Sequence, residues 1–146
     1  MKIREMKVGD YEAIYDLWIH TPGMGLNEID DSREGIDKFL KRNPTTCFVA
    51  EEQKKVVGVI MSGHDGRRGF IYHTAVRQEY RNQGIGRALV EATLKTLEKE
   101  GIRKAALVVF DRNEIGNVFW EKMGFTERTD LVYRNRTIRE AVRIDT

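Results

Sequence analysis

From Val76 to Leu89 the chain reads Val-Arg-Gln-Glu-Tyr-Arg-Asn-Gln-Gly-Ile-Gly-Arg-Ala-Leu, and its residue types suit the capture of an anion. Gly84 and Gly86 lack a Cβ, so the backbone there can turn tightly and gather several N–H groups around one charge. Downstream, Ile85, Leu89, Ala92 and Val90, Leu94, Leu97 recur at helical spacing and predict a helix over 84–100. A helix that starts at the glycines aims its unpaired amides and the positive end of its dipole at the turn. A pyrophosphate meets that description, with Arg81 and Arg87 flanking it for charge-assisted contacts. A dinucleotide-binding turn needs a third glycine where Leu89 stands, and a P-loop needs Gly-Lys-Ser/Thr where the chain has Gly86-Arg87-Ala88. Both motifs are excluded.

A second informative segment lies further on. Lys104-Ala105-Ala106-Leu107-Val108-Val109-Phe110 reads as a buried strand, followed by Asn113, a short helix from Glu114 to Met123 and the run Phe119-Trp120-Glu121-Lys122-Met123-Gly124-Phe125. Gly124 suits the left-handed position that closes a helix, after which Phe125 starts another strand. Asn113 is also a good N-cap for the helix opening at Glu114.

The elements that must position these segments follow from patterning. Lys2 to Met6 alternates as a first strand, and Tyr11, Ile14, Leu17 and Trp18 line one face of a helix with Asp10 in its first turn. A linker with Pro22, Gly23 and Gly25 leads to a helix capped by Ser32, carrying Ile36, Phe39 and Leu40 and ending before Pro44. Thr46 to Glu51, Val56 to Gly63 and Phe70 to Val76 read as three strands with turns around Lys54 and at Gly66 and Gly69, an antiparallel meander. The helix over 84–100 then crosses to a parallel partner at Lys104. Leu131 to Arg134 predicts a late strand, and part of the polar stretch from Arg136 to Thr146 is expected to fray.

Composition narrows the function classes. With 146 residues, 40% of them hydrophobic, and two prolines, the chain suits a single domain. One cysteine, Cys47, leaves no internal disulfide, and no apolar run approaches the roughly 20 residues of a membrane span or the plan of a signal peptide. The cytoplasm is the expected location. A net charge of +2 from 25 basic and 23 acidic residues dispersed along the chain is no footprint for nucleic acid.

The Arg-x-x-Gly-x-Gly turn after Phe70 to Val76, followed by the strand, Asn113 and the Phe-Trp-x-x-x-Gly-Phe run, resembles the GNAT superfamily of acyl-CoA-dependent N-acetyltransferases. The resemblance covers about residues 1–135, leaving 136–146 as a C-terminal tail. It implies an α+β (mixed α/β) fold: a central, mostly antiparallel sheet flanked by helices, with splayed fourth and fifth strands, here Phe70 to Val76 and the strand at Lys104. In that family the pantetheine arm of acetyl-CoA enters the gap between those strands. Backbone groups at Thr74 and Val76 are then expected to hold the arm, and one N–H there to polarise the thioester carbonyl. Arg81, Asn82, Gln83, Gly84, Ile85, Gly86 and Arg87 are the expected diphosphate site, and Asn113 the position of a side-chain contact to the cosubstrate. Trp120 is expected to pack against the arm or to belong to the core. Acetyl-CoA and an amine acceptor are the implied partners, without a metal, and a homodimer is one permissible assembly.

The implied reaction is attack of a primary amine on the thioester. Presenting a neutral lysine amine at pH 7 costs roughly 4 to 5 kcal/mol, whereas an α-amine costs only about 1. A coenzyme thiol with a pKa of roughly 8.5 leaves tolerably well without an acid. Many family members place a tyrosine, the presumed acid, where this chain has Trp120, and those acting on ribosomal-protein N-termini carry a glutamate where it has Val108. Strand parity puts Phe70, Tyr72, Thr74 and Val76 on the face that in the family looks toward the acceptor, with Ile71, His73 and Ala75 opposite. Tyr72 is therefore the expected polar participant, Tyr133 a further candidate to protonate the thiolate, and His73 a packing residue. Trp18, His20, Met24, Glu28, Asp30 and Asp31 are expected around the acceptor, the aromatic as a wall and the acids as an attraction for a cation or simply a solvated loop. A non-catalytic acyl-CoA sensor is the alternative function.

Overall fold

The computed structural model describes residues 1–144. In chain order the elements are β1 (Lys2–Glu5), α1 (Tyr11–Ile19), β2 (Leu26–Asn27), α2 (Arg33–Arg42), β3 (Phe48–Glu52), β4 (Lys55–His64), β5 (Gly69–Val76), α3 (Ile85–Lys99), β6 (Ala105–Ala106), α4 (Glu114–Lys122) and β7 (Arg143–Ile144). The main sheet runs β1-β3-β4-β5-β6, antiparallel throughout except for the parallel β5–β6 pair. Local chemistry explains most boundaries. Ser32 Oγ accepts the Gly35 N–H at 3.0 Å and opens α2, while Gln53 and Lys54, both at positive φ, form the tight link between β3 and β4.

The sheet separates two cores. On one face Ile14, Leu17 and Trp18 of α1 and Ile36 and Leu40 of α2 bury Val49, Val59, Met61 and Ala75. On the other, Ile85, Leu89 and Val90 of α3 cover Ala50, Val57, Ile60 and Ile71, with Phe119 and Trp120 of α4 and Met123 just after it packed beside them. Cys47 belongs to the first core, where burial pushes its thiol up to about 12 and leaves it unreactive.

The fourth and fifth strands of the sequence reading are β5 and β6, because the two-residue β2 was not foreseen. They part after two residue pairs, Gly69 with Ala105 and Phe70 with Ala106. The expected buried strand from Lys104 to Phe110 is therefore only Ala105–Ala106 as a paired element, and Val108 is 59% exposed. No strand starts at Phe125, and Leu131 to Arg134 forms none either; both lie on the irregular chain that follows α4. Instead Arg143–Ile144 returns to pair with Leu26–Asn27 in the linker after α1. The end of the tail at Asp145 and Thr146 lies outside the described residues.

One polar cluster ties β1, β3 and the start of α1 together. Arg4 donates to both Asp10 oxygens at 2.8 and 2.9 Å and through Nε to Glu51 at 2.8 Å, and the Lys7 N–H adds a bond to Asp10. Burial alone would push the Asp10 carboxyl up, but Arg4 and the Lys7 N–H outweigh it and hold it below its usual range. A depressed folded value means stability that is present above about pH 3.9 and lost as pH falls through the folded value. Asp10→Asn is accordingly expected to lower the melting temperature near neutrality and to converge on wild type in strong acid. Melting curves for both proteins across that range check it, and equal midpoints at neutral pH would remove the cluster from the stability account.

Candidate active site

The glycine turn begins with one turn of 3-10 helix, Gln78–Tyr80, in which Tyr80 and Arg81 N–H groups bond back to Arg77 and Gln78 carbonyls. Asn82 and Gly84 then take left-handed conformations, at φ 63° and 82°. Gly84 is the N-cap of α3, no side chain caps it, and the first amide to bond back to it is that of Ala88, at 3.0 Å. The amides of Ile85, Gly86 and Arg87 consequently have no acceptor within the helix. Residues 81–84 are exposed around them. The glycine turn and the helix that starts from it are those the sequence predicts.

The two glycines act differently. A Cβ at Gly84 would meet nothing within 4 Å, so glycine is needed there for its φ; a Cβ at Gly86 would stand 3.1 Å from the Phe119 ring, so glycine there lets α4 close on α3. Ile85 is buried and offers only its backbone. Arg81 turns back to donate from Nε to the Val76 carbonyl at 3.0 Å, and Arg87 faces solvent beside Glu91 at 3.7 Å. Asn82 and Gln83 are exposed on the turn.

Next to this turn, the edge of β5 beyond Phe70 carries no strand among the described residues, and on it the Val76 carbonyl takes a bond from Arg81 Nε. The Arg77 N–H bonds to Val57 of β4 at 2.8 Å, so the backbone groups of Val76, one residue back, and of Thr74 face the opposite edge. An extended ligand can add to that edge by main-chain hydrogen bonds.

Strand parity fails at one point. Between the pairs Val59 with Ala75 and Met61 with Tyr72, β5 contains one residue more than β4, a β-bulge. Before it, Phe70 and Tyr72 face the α1–α2 side, where Tyr72 meets Phe39 edge-on at 5.8 Å. After it the faces exchange: Ala75 sits in the α1–α2 core and Val76 packs toward α3. His73 therefore shares the face of Tyr72, their rings 6.4 Å apart, whereas Thr74 and Val76 do not. The expectation that His73 points away is corrected by the bulge.

Around His73 the contacts are specific. Its Nε2 lies 2.8 Å from Asp31 Oδ1, and Trp18 meets the imidazole edge-on at 5.0 Å while its Nε1 donates to the His73 carbonyl. The Asp31 side chain is 3% exposed and that of His73 17%. Asp31 Oδ2 accepts the Asn27 N–H at 2.9 Å, and the Tyr11 hydroxyl donates to the Asp31 carbonyl at 2.7 Å. Asp31 is thus no solvated loop acid, and Trp18, fully buried, supports the site from beneath instead of walling it.

Tyr72 is 43% exposed. Partial burial pushes its phenol above the usual tyrosine range, and nearby Tyr133 and Asp30 oppose its ionisation further, so it is a neutral hydrogen-bond donor at neutral pH. Tyr133 itself lies on an exposed irregular segment. Glu28 is occupied with the backbone of Val142, and His20 Nδ1 with the Asp16 carbonyl. Asn113 caps α4 by accepting the Gly116 N–H at 2.9 Å, and Trp120 stands edge-on between Phe119 and Phe125 at 5.0 and 5.2 Å. The cap is the local role foreseen for Asn113 beside its expected contact to the cosubstrate, and Trp120, expected against the arm or in the core, packs on the α3-side core.

Over residues 11–125 the sequence matches the model of the Acetyltransferase (GNAT) family. The chain belongs to that family. It is 33% identical over 144 residues to an acetyltransferase of Photorhabdus laumondii, covering 94% of this chain and 96% of the relative. An acetyltransferase of Yersinia pestis is 30% identical over 138 residues with the same coverage. Among solved structures, Ard1 from Thermoplasma volcanium superposes with a TM-score of 0.77 at 24% identity over 86% of this chain and 82% of that one. The PaiA N-acetyltransferase from Thermoplasma acidophilum, crystallised with coenzyme A, gives 0.73 at 19% identity over 84% and 87%. This GNAT protein is an acetyl-CoA-dependent acetyltransferase, and its sheet, splayed between β5 and β6, has the family architecture. No helix among its described residues is long and apolar enough to cross a membrane.

Proposed function

We propose that this acetyltransferase transfers the acetyl group of acetyl-CoA to a primary amine, of a small molecule or a protein, by direct attack on the thioester. The observation that carries the reading is the uncapped N-terminus of α3 at left-handed Gly84, opening beside the unpaired edge of β5. Amides from Asn82 to Arg87 would hold the diphosphate, and the backbone of Thr74 and Val76 the pantetheine arm. An amine acceptor is supported by solved relatives of the same fold, among them the ribosomal-protein-S18-alanine N-acetyltransferase from Escherichia coli, TM-score 0.70 at 23% identity over 88% of this chain and 79% of that one. We assign the reaction to residues 1–135 and place it in the cytoplasm, consistent with a single buried cysteine.

In this reading Tyr72, on the α1–α2 face and neutral, would hydrogen-bond the incoming amine or an ordered water, and Tyr133 would be a further candidate to protonate the thiolate. Thiol release from acetyl-CoA across a panel of amines, α-amino peptides and lysine peptides tests the function. Release with one class and formation of its N-acetyl product is the expected result; coenzyme binding without release from any acceptor would return the chain to the sensor reading. Tyr72→Phe is expected to lower kcat about tenfold, the worth of one hydrogen bond of about 1.4 kcal/mol, and to leave the KM for acetyl-CoA within about twofold. An unchanged kcat would dismiss Tyr72.

A further inference from the structure

We propose that His73, oriented by Asp31, accepts the proton of the attacking amine, so that a histidine–aspartate pair supplies the base. This rests on the reading above that an amine enters beside β5. The bulge carries the first part of the argument, because it turns the imidazole onto the face that holds Tyr72. Asp31 carries the second. A carboxylate 3% exposed is costly unless paired, and this one divides its oxygens between the Asn27 N–H and His73 Nε2. With the Nε2 proton donated to the carboxylate, a neutral imidazole keeps its lone pair on Nδ1. When Nδ1 takes a proton, the adjacent carboxylate stabilises the imidazolium that forms, while the Asn27 and Tyr11 contacts keep the Asp31 turn from moving.

Among the described residues, the titratable groups facing the ring are few. Asp31 comes from the turn before α2, Tyr11 of α1 reaches the same residue's carbonyl, and Tyr72 lies beside His73 on β5. Trp18 of α1 contributes an edge without a charge, and Asp30 and Tyr133 bear on Tyr72. In the reaction the amine nitrogen bonds to the thioester carbon, the C–S bond breaks and its electron pair leaves with sulfur. The nitrogen's proton passes to Nδ1 and then to solvent, and the thiolate takes one proton from solvent.

Direct nitrogen NMR of the wild type bound to coenzyme A reads the tautomer without any acceptor. A proton on Nε2 and none on Nδ1 is expected at mildly alkaline pH; the reverse tautomer would overturn the proposal. Turnover is read as thiol release from acetyl-CoA with an alanyl peptide bearing a free α-amine, and separately with water alone. His73→Gln is expected to lower kcat about 100-fold, leave the KM for acetyl-CoA within about twofold and leave only the fall toward acid that the α-amine's own protonation imposes. Asp31→Asn, a conservative change at the positioning residue, is expected to lower kcat less and to mix the tautomers. A His73→Gln enzyme within about threefold of wild type would overturn the assignment. A wild type stabilised by acetyl-CoA that releases no thiol counts against the transfer reading instead, and the nitrogen spectrum still judges the pair.

Discussion

Gly84→Asp is expected to abolish the rise in melting temperature that acetyl-CoA gives the wild type, while the free protein still folds. A ligand at about 100 times its Kd stabilises by about 2.7 kcal/mol. At roughly 2 to 4 °C per kcal/mol for a domain of this size, the wild-type shift is about 5 to 10 °C. Aspartate brings two changes. Its backbone must stay left-handed at φ 82°, a strain of roughly 1 to 2 kcal/mol that Asp tolerates better than most residues, and its Cβ meets nothing within 4 Å. Its carboxylate, however, sits where the amides of α3 converge, and it repels a diphosphate while occupying its donors. Gly84→Asn carries the same strain without the charge and should retain part of the shift. Thermal shifts of the three proteins with acetyl-CoA decide the matter; a full shift for Gly84→Asp would move the diphosphate elsewhere.

Trp18→Ala should give the largest loss of stability. Trp18 is 0% exposed and joins α1 to the sheet through its ring, its contact with His73 and the Nε1 hydrogen bond to the His73 carbonyl. Removing a buried tryptophan side chain costs about 3 to 5 kcal/mol. That is a large share of the roughly 5 to 15 kcal/mol that holds a domain together. The melting temperature should fall by about 10 °C or more, or the protein should fail to accumulate folded. Urea unfolding measures the change. A loss under about 1 kcal/mol would mean that the site collapses around the gap, contrary to the close packing of interiors. Trp18→Phe keeps the ring and loses the donor, and should recover much of the difference.

What the sequence revealed and what it withheld divide by distance along the chain. The Gly84 turn, the helix behind it, the Ser32 and Asn113 caps and the left-handed Gly124 all follow from residues a few positions apart. The divergence after β6 was also legible, though only through family resemblance. By contrast, the β5 bulge is a mismatch of register between two strands, and nothing in Tyr72-His73-Thr74 announces it. Nor could alternation alone pair His73 with Asp31, 42 residues earlier, when each has a bland reading in its own neighbourhood. Leu131 to Arg134 failed for a related reason. Its residues favour a strand, but a strand also needs a partner, and residues 131–134 pair with none.

The open flank of β5 has a consequence beyond the reaction. Unpaired main-chain groups along a strand are a template for self-association, and here exposed Val108, Leu131, Val132 and Tyr133 lie on the segments that follow β6. On the proposed binding mode, coenzyme seated on that flank would also act as a plug that masks it. Starved of coenzyme, such a protein would grow sticky before it grew inactive, and solutions kept saturated with coenzyme should stay monodisperse longest.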